Sequence, residues 1–176
     1  MNDSMRQDAI SRVGITIAID GPAGSGKSTV SKALATRLRI GYLDTGAMYR
    51  ALTWYCLDRD IDLTDNAAVA AAANEMPLRL VSDPSDPHVW VGEREITEEI
   101  REPRIALEIK HVSTNLDVRA WMAAEQRRRM MEAREEGSGM IAEGRDITTV
   151  VCPDADVRIL LLADQEARLR RRTLEL

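Results

Sequence analysis

The stretch "VGITIAIDGPAGSGKSTVSKALATRLR", residues 13–39, decides the fold, because it joins two elements of different periodicity through a glycine-rich turn. Residues 13–20 form a short apolar run that is typical of a buried strand. Residues 27–39 have helical spacing, with three apolar side chains at every fourth position: Val30, Leu34 and Leu38. Between them lies the turn "GPAGSGKS", residues 21–28. Strand, turn and helix together predict the start of a parallel sheet with helices on its faces.

The glycine-rich turn matches the phosphate-loop pattern G-x-x-x-x-G-K-[ST] at every position. Its glycines let successive backbone N–H groups point inward, where they and the start of the following helix bind phosphate oxygens. Lys27 is predicted to reach the β- and γ-phosphates, and the Ser28 hydroxyl to ligate Mg²⁺. The loop therefore predicts binding of a nucleoside triphosphate. The predicted nucleotide-binding residues are Gly21, Pro22, Ala23, Gly24, Ser25, Gly26, Lys27, Ser28 and Thr29.

Alternation of strands and helices continues on both sides of the middle of the chain. Predicted strands cover residues 40–44, 139–143 and 156–162, and predicted helices cover 46–59, 115–137 and 163–176, the last with a cap at Asp164. We therefore expect an α/β fold, a three-layer P-loop sandwich with a central parallel sheet, over residues 13–176. A polar, flexible leader is expected over residues 1–12.

The middle of the chain interrupts this alternation. Residues 65–76 are alanine-rich and predict a helix. Residues 77–82 and 88–95 alternate apolar and polar side chains on either side of the turn at 83–87, which predicts an antiparallel β-hairpin. A helix plus hairpin does not extend a parallel sheet, so we interpret residues 64–100 as a small insert.

Composition excludes several classes of protein. Of the 176 residues 44% are hydrophobic but only 3% are aromatic, which predicts an aliphatic core. The net charge of −5 argues against a nucleic-acid binder, and no apolar run is long enough to cross a membrane. Two cysteines without metal-binding spacing, Cys56 and Cys152, indicate free thiols and a cytoplasmic protein.

Polar residues follow two more of the predicted strands. Thr45, Tyr49 and Arg50 come after the second strand, and Arg145 and Asp146 come after the strand at 139–143. Ligands of open α/β sheets bind at the carboxyl ends of the strands, so we expect Arg50 and Arg145 to converge near the phosphate loop. Two arginines there would bind the phosphate of an acceptor molecule, and Asp146 would accept from an amine or hydroxyl.

Each of these residues also has a purely structural interpretation. Arg50 fits the surface of a helix, Tyr49 fits core packing, and Arg145 and Asp146 could pair with each other. Their common position at strand ends favours the functional interpretation.

The sequence distinguishes between three classes of phosphate-loop protein. A GTPase would need the guanine-reading motif N-K-x-D, which the chain lacks. A motor or helicase would need a longer chain. A kinase of small metabolites fits both the length and the expected second anion site.

The motifs "IDGPAGSGKST", "YLDTGAMYRA", "EIR", "EGRDITTVV", "PDADVRILL" and "ARLRRR" occur here in the order and spacing of bacterial cytidylate kinases. The similarity covers residues 15–172, nearly the whole chain, and the hairpin insert resembles the one found in that family. The resemblance implies transfer of the γ-phosphoryl group of ATP to CMP or dCMP with Mg²⁺. It also implies a protein that is usually monomeric.

The resemblance assigns roles to individual positions. Substrate-binding roles are implied for Thr45, Tyr49, Arg50, Arg119, Arg145 and Asp146, with Arg119 contacting the base and Asp146 the cytosine amine. Catalytic roles are implied for Lys27, Arg145 and Arg171. Arg171 lies with Arg168 and Arg172 on a helix that leads into a mobile lid beginning near residue 168.

Three departures from the family pattern qualify the resemblance. Lys110 stands where the family usually has a base-recognising serine, Thr148 stands where it usually has glycine, and the chain ends at Leu176 while the family continues through the lid. Two rival hypotheses therefore stay open. One is a kinase of another small acceptor, such as a different nucleoside monophosphate or shikimate, and the other is a nucleotide-binding fragment without catalysis.

Overall fold

The computed structural model describes residues 14–163, which contain seven strands and five α-helices. The strands are β1 (Thr16–Asp20), β2 (Gly41–Asp44), β3 (Leu78–Leu80), β4 (Val89–Val91), β5 (Arg94–Glu95), β6 (Met140–Gly144) and β7 (Val157–Leu160). The helices are α1 (Lys27–Leu38), α2 (Thr45–Asp58), α3 (Asn66–Glu75), α4 (Pro103–Thr114) and α5 (Leu116–Glu135). A 3₁₀ turn covers Glu99–Arg101 and a π-helical turn covers Ile147–Val151.

The chain divides into two compact units. The first unit comprises Met1–Asp44, Asp83–Ser85 and Gln126–Leu176, and the second comprises Thr45–Ser82 and Asp86–Glu125. Helix α5 therefore starts in the second unit and ends in the first.

A four-stranded, entirely parallel sheet forms the centre of the first unit, in the order β2-β6-β1-β7. Strand β6 pairs with both β1 and β2, so that Glu143 lies beside Ile19 on one side and Asp44 on the other. Asp20 pairs with Gly144 at the carboxyl end of β1. The predicted α/β fold with a central parallel sheet is confirmed, and its strand ends lie at one edge.

Helix α1 packs one face against this sheet. The buried cluster comprises Ile17, Ile19, Ala35, Ile40, Tyr42 and Ile141, and Leu34 and Leu38 pack against it. Val30, in contrast, is 42% exposed. The buried face of α1 therefore runs through Ser31 and Ala35 rather than through Val30, because small side chains allow the helix to approach the strands closely.

The second unit contains a three-stranded antiparallel sheet in the order β3-β4-β5. The predicted hairpin is right in its antiparallel pairing but wrong in its strand count. Gly92, with φ of 58°, turns the chain between β4 and β5 and divides the expected strand at 88–95 into two. Asp65 caps α3, since its side chain accepts from the backbone N–H groups of Ala67 and Ala68.

Helix α4 was not predicted from the sequence. It starts with Pro103 in its first turn and buries Ile105 and Val112, two turns apart on one face. The Asn115 side chain then starts α5 by accepting from the backbone N–H groups of Asp117 and Val118 at 3.1 and 3.3 Å.

Three predicted segments lie outside the described residues. They are the leader at 1–12, the lid and the part of the predicted last helix from residue 164 onward. Among the helices of residues 14–163, none is both long and apolar enough to cross a membrane.

Asp156 ties β1, α5 and the start of β7 together within the first unit. Its Oδ2 accepts from the Thr16 backbone N–H at 2.8 Å, the Thr16 hydroxyl at 2.9 Å and Arg134 Nη1 at 3.1 Å. These donors, the Thr16 N–H first, lower the pKa of Asp156 below its ordinary value. The ionised side chain therefore contributes to the stability of this unit.

Asp156→Asn should lower the free energy of unfolding by about 1–2 kcal/mol at pH 7, because charge-assisted hydrogen bonds are lost from a half-exposed site. Since the folded pKa is lowered, the contribution is present above the unfolded value near pH 4 and is lost as pH falls through the folded value. Urea unfolding of wild type and variant at pH 7, 5 and 3 measures the difference. Asp154→Asn, which removes a surface ion pair with Arg127, is the comparison and should cost less. A difference that grows below pH 4 would contradict the assignment.

Candidate nucleotide-binding site

The glycine-rich loop at residues 21–28 turns sharply between β1 and α1. Gly24 and Gly26 have φ of 72° and 89°, in the left-handed region that glycine adopts without strain. Gly26 is also the N-cap of α1, and no side chain forms a capping hydrogen bond there. The first N–H groups of α1 are thus left to an anion, which the helix dipole favours at this end.

Two side chains of the loop fit a phosphate ligand. Ser25 Oγ is buried and has no hydrogen-bond partner among the described residues. Lys27 Nζ donates to the carbonyl of Pro22 at 3.1 Å, so its ammonium group is held over the loop. A Cβ on Gly21 would lie 2.5 Å from the carbonyl oxygen of Leu161, so the loop's first position accepts only glycine. A buried polar atom without a partner and a fixed cation are what phosphate oxygens require.

A hydroxyl and a carboxylate next to the loop fit a magnesium ion. Ser28 lies in the first turn of α1, and its hydroxyl lies next to the carboxylate of Glu143. The structure describes no group of three or more histidine, cysteine, aspartate or glutamate side chains that could hold a metal. A nucleotide-bound Mg²⁺ keeps several waters and takes other ligands from phosphates, so one protein hydroxyl with a carboxylate beside it fits this ion.

Glu143 is buried at the carboxyl end of β6, 3% exposed, and the Tyr42 hydroxyl donates to its Oε1 at 2.6 Å. Burial raises the pKa of Glu143, while the hydrogen bonds from Ser28 and Tyr42 and the charge of Lys27 oppose that rise. Burial also raises the pKa of Tyr42 well above its ordinary value, so the phenol stays protonated as a donor.

Asp20 anchors the segment that follows β6. Its buried carboxylate accepts from the backbone N–H groups of Ile147 and Thr148, both at 2.8 Å, and from the Thr148 hydroxyl at 2.5 Å. Asp20 is the last residue of β1 and immediately precedes Gly21. One carboxylate therefore joins the phosphate loop to the segment that carries Arg145 and Asp146.

Arg145 and Asp146 occupy the turn between β6 and the π-helical turn. Arg145 is exposed and Asp146 is half-buried. The backbone carbonyl of Asp146 accepts from the N–H groups of Val150 and Val151 at 2.8 and 3.2 Å, which closes the π-helical turn. The first unit thus brings Lys27, Ser28, Arg145 and Asp146 to the carboxyl edge of its sheet, as the strand-end rule predicts.

The remaining predicted substrate residues lie in the second unit. Thr45 is buried and Tyr49 and Arg50 are half-buried on α2, with Thr45 and Tyr49 one turn apart on the same face. Arg119 is exposed in the first turns of α5. Lys110 is exposed on α4, and Arg171 lies outside the described residues. The convergence of Arg50 and Arg145 stays a prediction.

Sequence reasoning missed three residues of this site: Asp20, Tyr42 and Glu143. A signal existed for the carboxylates, since each is the acidic residue nearest the end of an otherwise apolar strand that precedes a glycine. The role of Tyr42 had no local signal, because it depends on the pairing of β2 with β6.

Comparison with known proteins shows which family this chain resembles. Residues 17–176 match the family model described as cytidylate kinase. A cytidylate kinase of Streptomyces avermitilis is 43% identical over 162 residues, covering 92% of this chain and 69% of that protein. A bifunctional pantoate ligase/cytidylate kinase of Synechococcus is 44% identical, covering 91% of this chain and 32% of that protein. A crystal structure of a Thermus thermophilus protein has a TM-score of 0.44 and 22% identity, over 91% of this chain and 71% of that one.

Asp20→Asn should lower the free energy of unfolding by about 2–3 kcal/mol, because buried N–H groups lose an ionised acceptor. Thr148→Val removes one of the three hydrogen bonds and should cost about 1 kcal/mol. Thr149→Val is the matched control, because the Thr149 side chain is exposed. Its hydroxyl makes only a long hydrogen bond, 3.5 Å, to the backbone carbonyl of Asp146. Denaturant unfolding measures stability, and amide hydrogen exchange at residues 147 and 148 should accelerate in the Asp20 variant. Unchanged exchange at those two amides would show that Asp20 does not hold this segment.

Proposed function

The chain belongs to the cytidylate kinase family, and from that premise we propose that it transfers the γ-phosphoryl group of ATP to CMP or dCMP. The observation that carries the proposal is the phosphate loop itself. An uncapped helix start, two left-handed glycines and the buried Ser25 hydroxyl without a partner form a cradle for the donor phosphates.

Donor binding is assigned to the loop at residues 21–28 and to Thr29. Backbone N–H groups would bind the phosphate oxygens, and Lys27 would neutralise charge on the β- and γ-phosphates. Ser28 would ligate Mg²⁺, with Glu143 beside it. When bound, Mg²⁺ would supply positive charge that reduces the repulsion opposing attack on the γ-phosphate.

Acceptor binding is assigned to the residues that the family resemblance implies. We infer that Arg50 and Arg145 hold the phosphate of CMP, since two guanidinium groups would offset the repulsion between two phosphorylated ligands. Thr45 and Tyr49 would line the pocket, Arg119 would contact the base and Asp146 would accept from the cytosine amine. The family premise supports these assignments, and the half-buried position of Arg50 and Asp146 fits them.

Transfer on this proposal needs neither a covalent intermediate nor a strong general base. Phosphoryl transfer has a loose transition state, so rate enhancement comes from alignment and from stabilising charge on the equatorial oxygens. Lys27 and Arg145 would supply such charge from the first unit. Arg171 would add a further cation, as the family resemblance implies.

The proposal extends to the protein's setting. We propose a monomer that acts in the cytoplasm, which fits the two free, buried cysteines Cys56 and Cys152. The chain spans 69% of the Streptomyces relative and 32% of the bifunctional one. A kinase of another acceptor and a nucleotide-binding module without catalysis are the alternatives to test.

A panel of acceptors separates these three hypotheses. ADP release from ATP and Mg²⁺ should occur with CMP and dCMP, and should stay at background with AMP, GMP, UMP and shikimate. A coupled assay measures turnover, and calorimetry measures ATP binding in parallel. Turnover confined to a different acceptor would select the second kinase hypothesis, and ATP binding without turnover on any acceptor would select the binding module.

Arg50→Ala should raise the KM for CMP by roughly 10–100-fold, because a charge-assisted hydrogen bond to phosphate contributes about 1.5–3 kcal/mol. The affinity for ATP should stay nearly unchanged. Arg59→Ala is the matched control, because Arg59 directly follows the last residue of α2. Its guanidinium stacks on the Tyr55 ring, 3.8 Å from the ring centre. Arg59→Ala removes one positive charge from the same unit and should leave the KM for CMP and the affinity for ATP unaltered. An equal loss of CMP and ATP affinity in Arg50→Ala would count against its place in the acceptor site.

A further inference from the structure

Tyr42 combines a core position with a polar contact that core packing does not need. Its side chain is 3% exposed within an aliphatic cluster that includes Ile17, Ile19 and Ile141. A phenylalanine would fill the same space. Yet the Tyr42 hydroxyl donates to Glu143 Oε1 at 2.6 Å, a short hydrogen bond in a buried site. The hydroxyl group therefore has a role that the ring does not explain.

Helix α1 lies over Tyr42 with the face that carries the predicted metal ligand. Lys32 Nζ is 5.6 Å from the centre of the Tyr42 ring. Ser28 lies one turn earlier on the same face of α1. Its hydroxyl lies next to both Tyr42 and Glu143. Tyr42, Glu143 and Ser28 thus form one connected group, all within the first unit.

The order of donors in this group determines what Ser28 offers to a ligand. A serine hydroxyl has one proton and two lone pairs, and it ligates a cation through a lone pair. Its proton must then be directed to an acceptor elsewhere, which the Glu143 carboxylate provides. Glu143 lies on β6, whereas Ser28 lies on α1, so the carboxylate keeps this orientation only if its own position is fixed. The phenol of Tyr42, on the neighbouring strand β2, fixes it.

We propose that Tyr42 is a positioning residue of the phosphoryl-donor site: its hydroxyl holds Glu143 so that the Ser28 hydroxyl presents a lone pair to the magnesium ion bound with the nucleotide. The inference rests on the donor half of the proposed function and is independent of the acceptor. It predicts that loss of the Tyr42 hydroxyl weakens ATP binding in the presence of Mg²⁺ but not in its absence.

Tyr42→Phe tests it by removing the hydroxyl and keeping the ring. Calorimetry on the full chain measures ATP affinity in two conditions, one with excess Mg²⁺ and one with EDTA. The variant should bind ATP on the order of tenfold more weakly with Mg²⁺, because a charge-assisted hydrogen bond that orders the site is lost. Affinity in EDTA should match that of the wild type. A titration of Mg²⁺ at fixed ATP should shift to higher metal concentration by a similar factor.

Tyr55→Phe is the matched control, since Tyr55 is also buried and belongs to the second unit. It should leave both affinities unchanged, and thermal unfolding of all variants checks that they fold. Equal weakening of ATP binding with Mg²⁺ and with EDTA would assign Tyr42 a structural role only and overturn the proposal, as would an unchanged Mg²⁺ response. If the wild type itself bound ATP without any effect of Mg²⁺, the donor half of the proposed function would fail and the inference with it.

Discussion

The parallel register of β1 against β6 is the constraint on which the rest of the first unit depends. Because Ile19 pairs with Glu143 and Asp20 pairs with Gly144, two acidic side chains reach the same edge of the sheet at the point where the phosphate loop begins. A shift of one residue would turn the side chains of the shifted strand to the opposite face of the sheet and separate the two carboxylates. The hydrogen bonds of Asp20 to the segment after β6 and of Tyr42 to Glu143 both depend on this register.

The two buried carboxylates have different roles because their donors differ. Asp20 accepts two backbone N–H groups and a hydroxyl, so it fixes the path of the main chain at 147–148. Glu143 accepts from the Tyr42 hydroxyl and lies next to Ser28, so its contacts concern hydroxyl groups rather than the main chain. Because both carboxylates are buried, the loss of either set of hydrogen bonds is costly. A buried carboxylate that loses a donor keeps its desolvation cost without compensation.

Local patterns in the sequence were enough to predict the strand–loop–helix unit, the parallel sheet and the loop residues, because glycine spacing and apolar periodicity act over a few positions. They were not enough where the outcome depends on a single turn or on pairing between distant segments. Gly92 divides one expected strand into β4 and β5. Helix α4, by contrast, did carry a local signal, because Ile105 and Val112 lie two turns apart on its buried face. The contact between Tyr42 and Glu143 spans 101 positions, so no local pattern encodes it.

Two of the three departures from the family pattern, Thr148 and Lys110, differ in their physical consequences. Thr148 replaces an expected glycine, but its φ is not positive and its hydroxyl donates to Asp20. The substitution therefore adds a hydrogen bond to the anchor of the segment after β6. Lys110 replaces an expected serine on an exposed part of α4, and its ammonium group can only donate. A donor-only cation suits an acceptor such as a carbonyl oxygen, a ring nitrogen or a phosphate. Lys110 therefore offers only a donor at a position where a serine hydroxyl would both donate and accept.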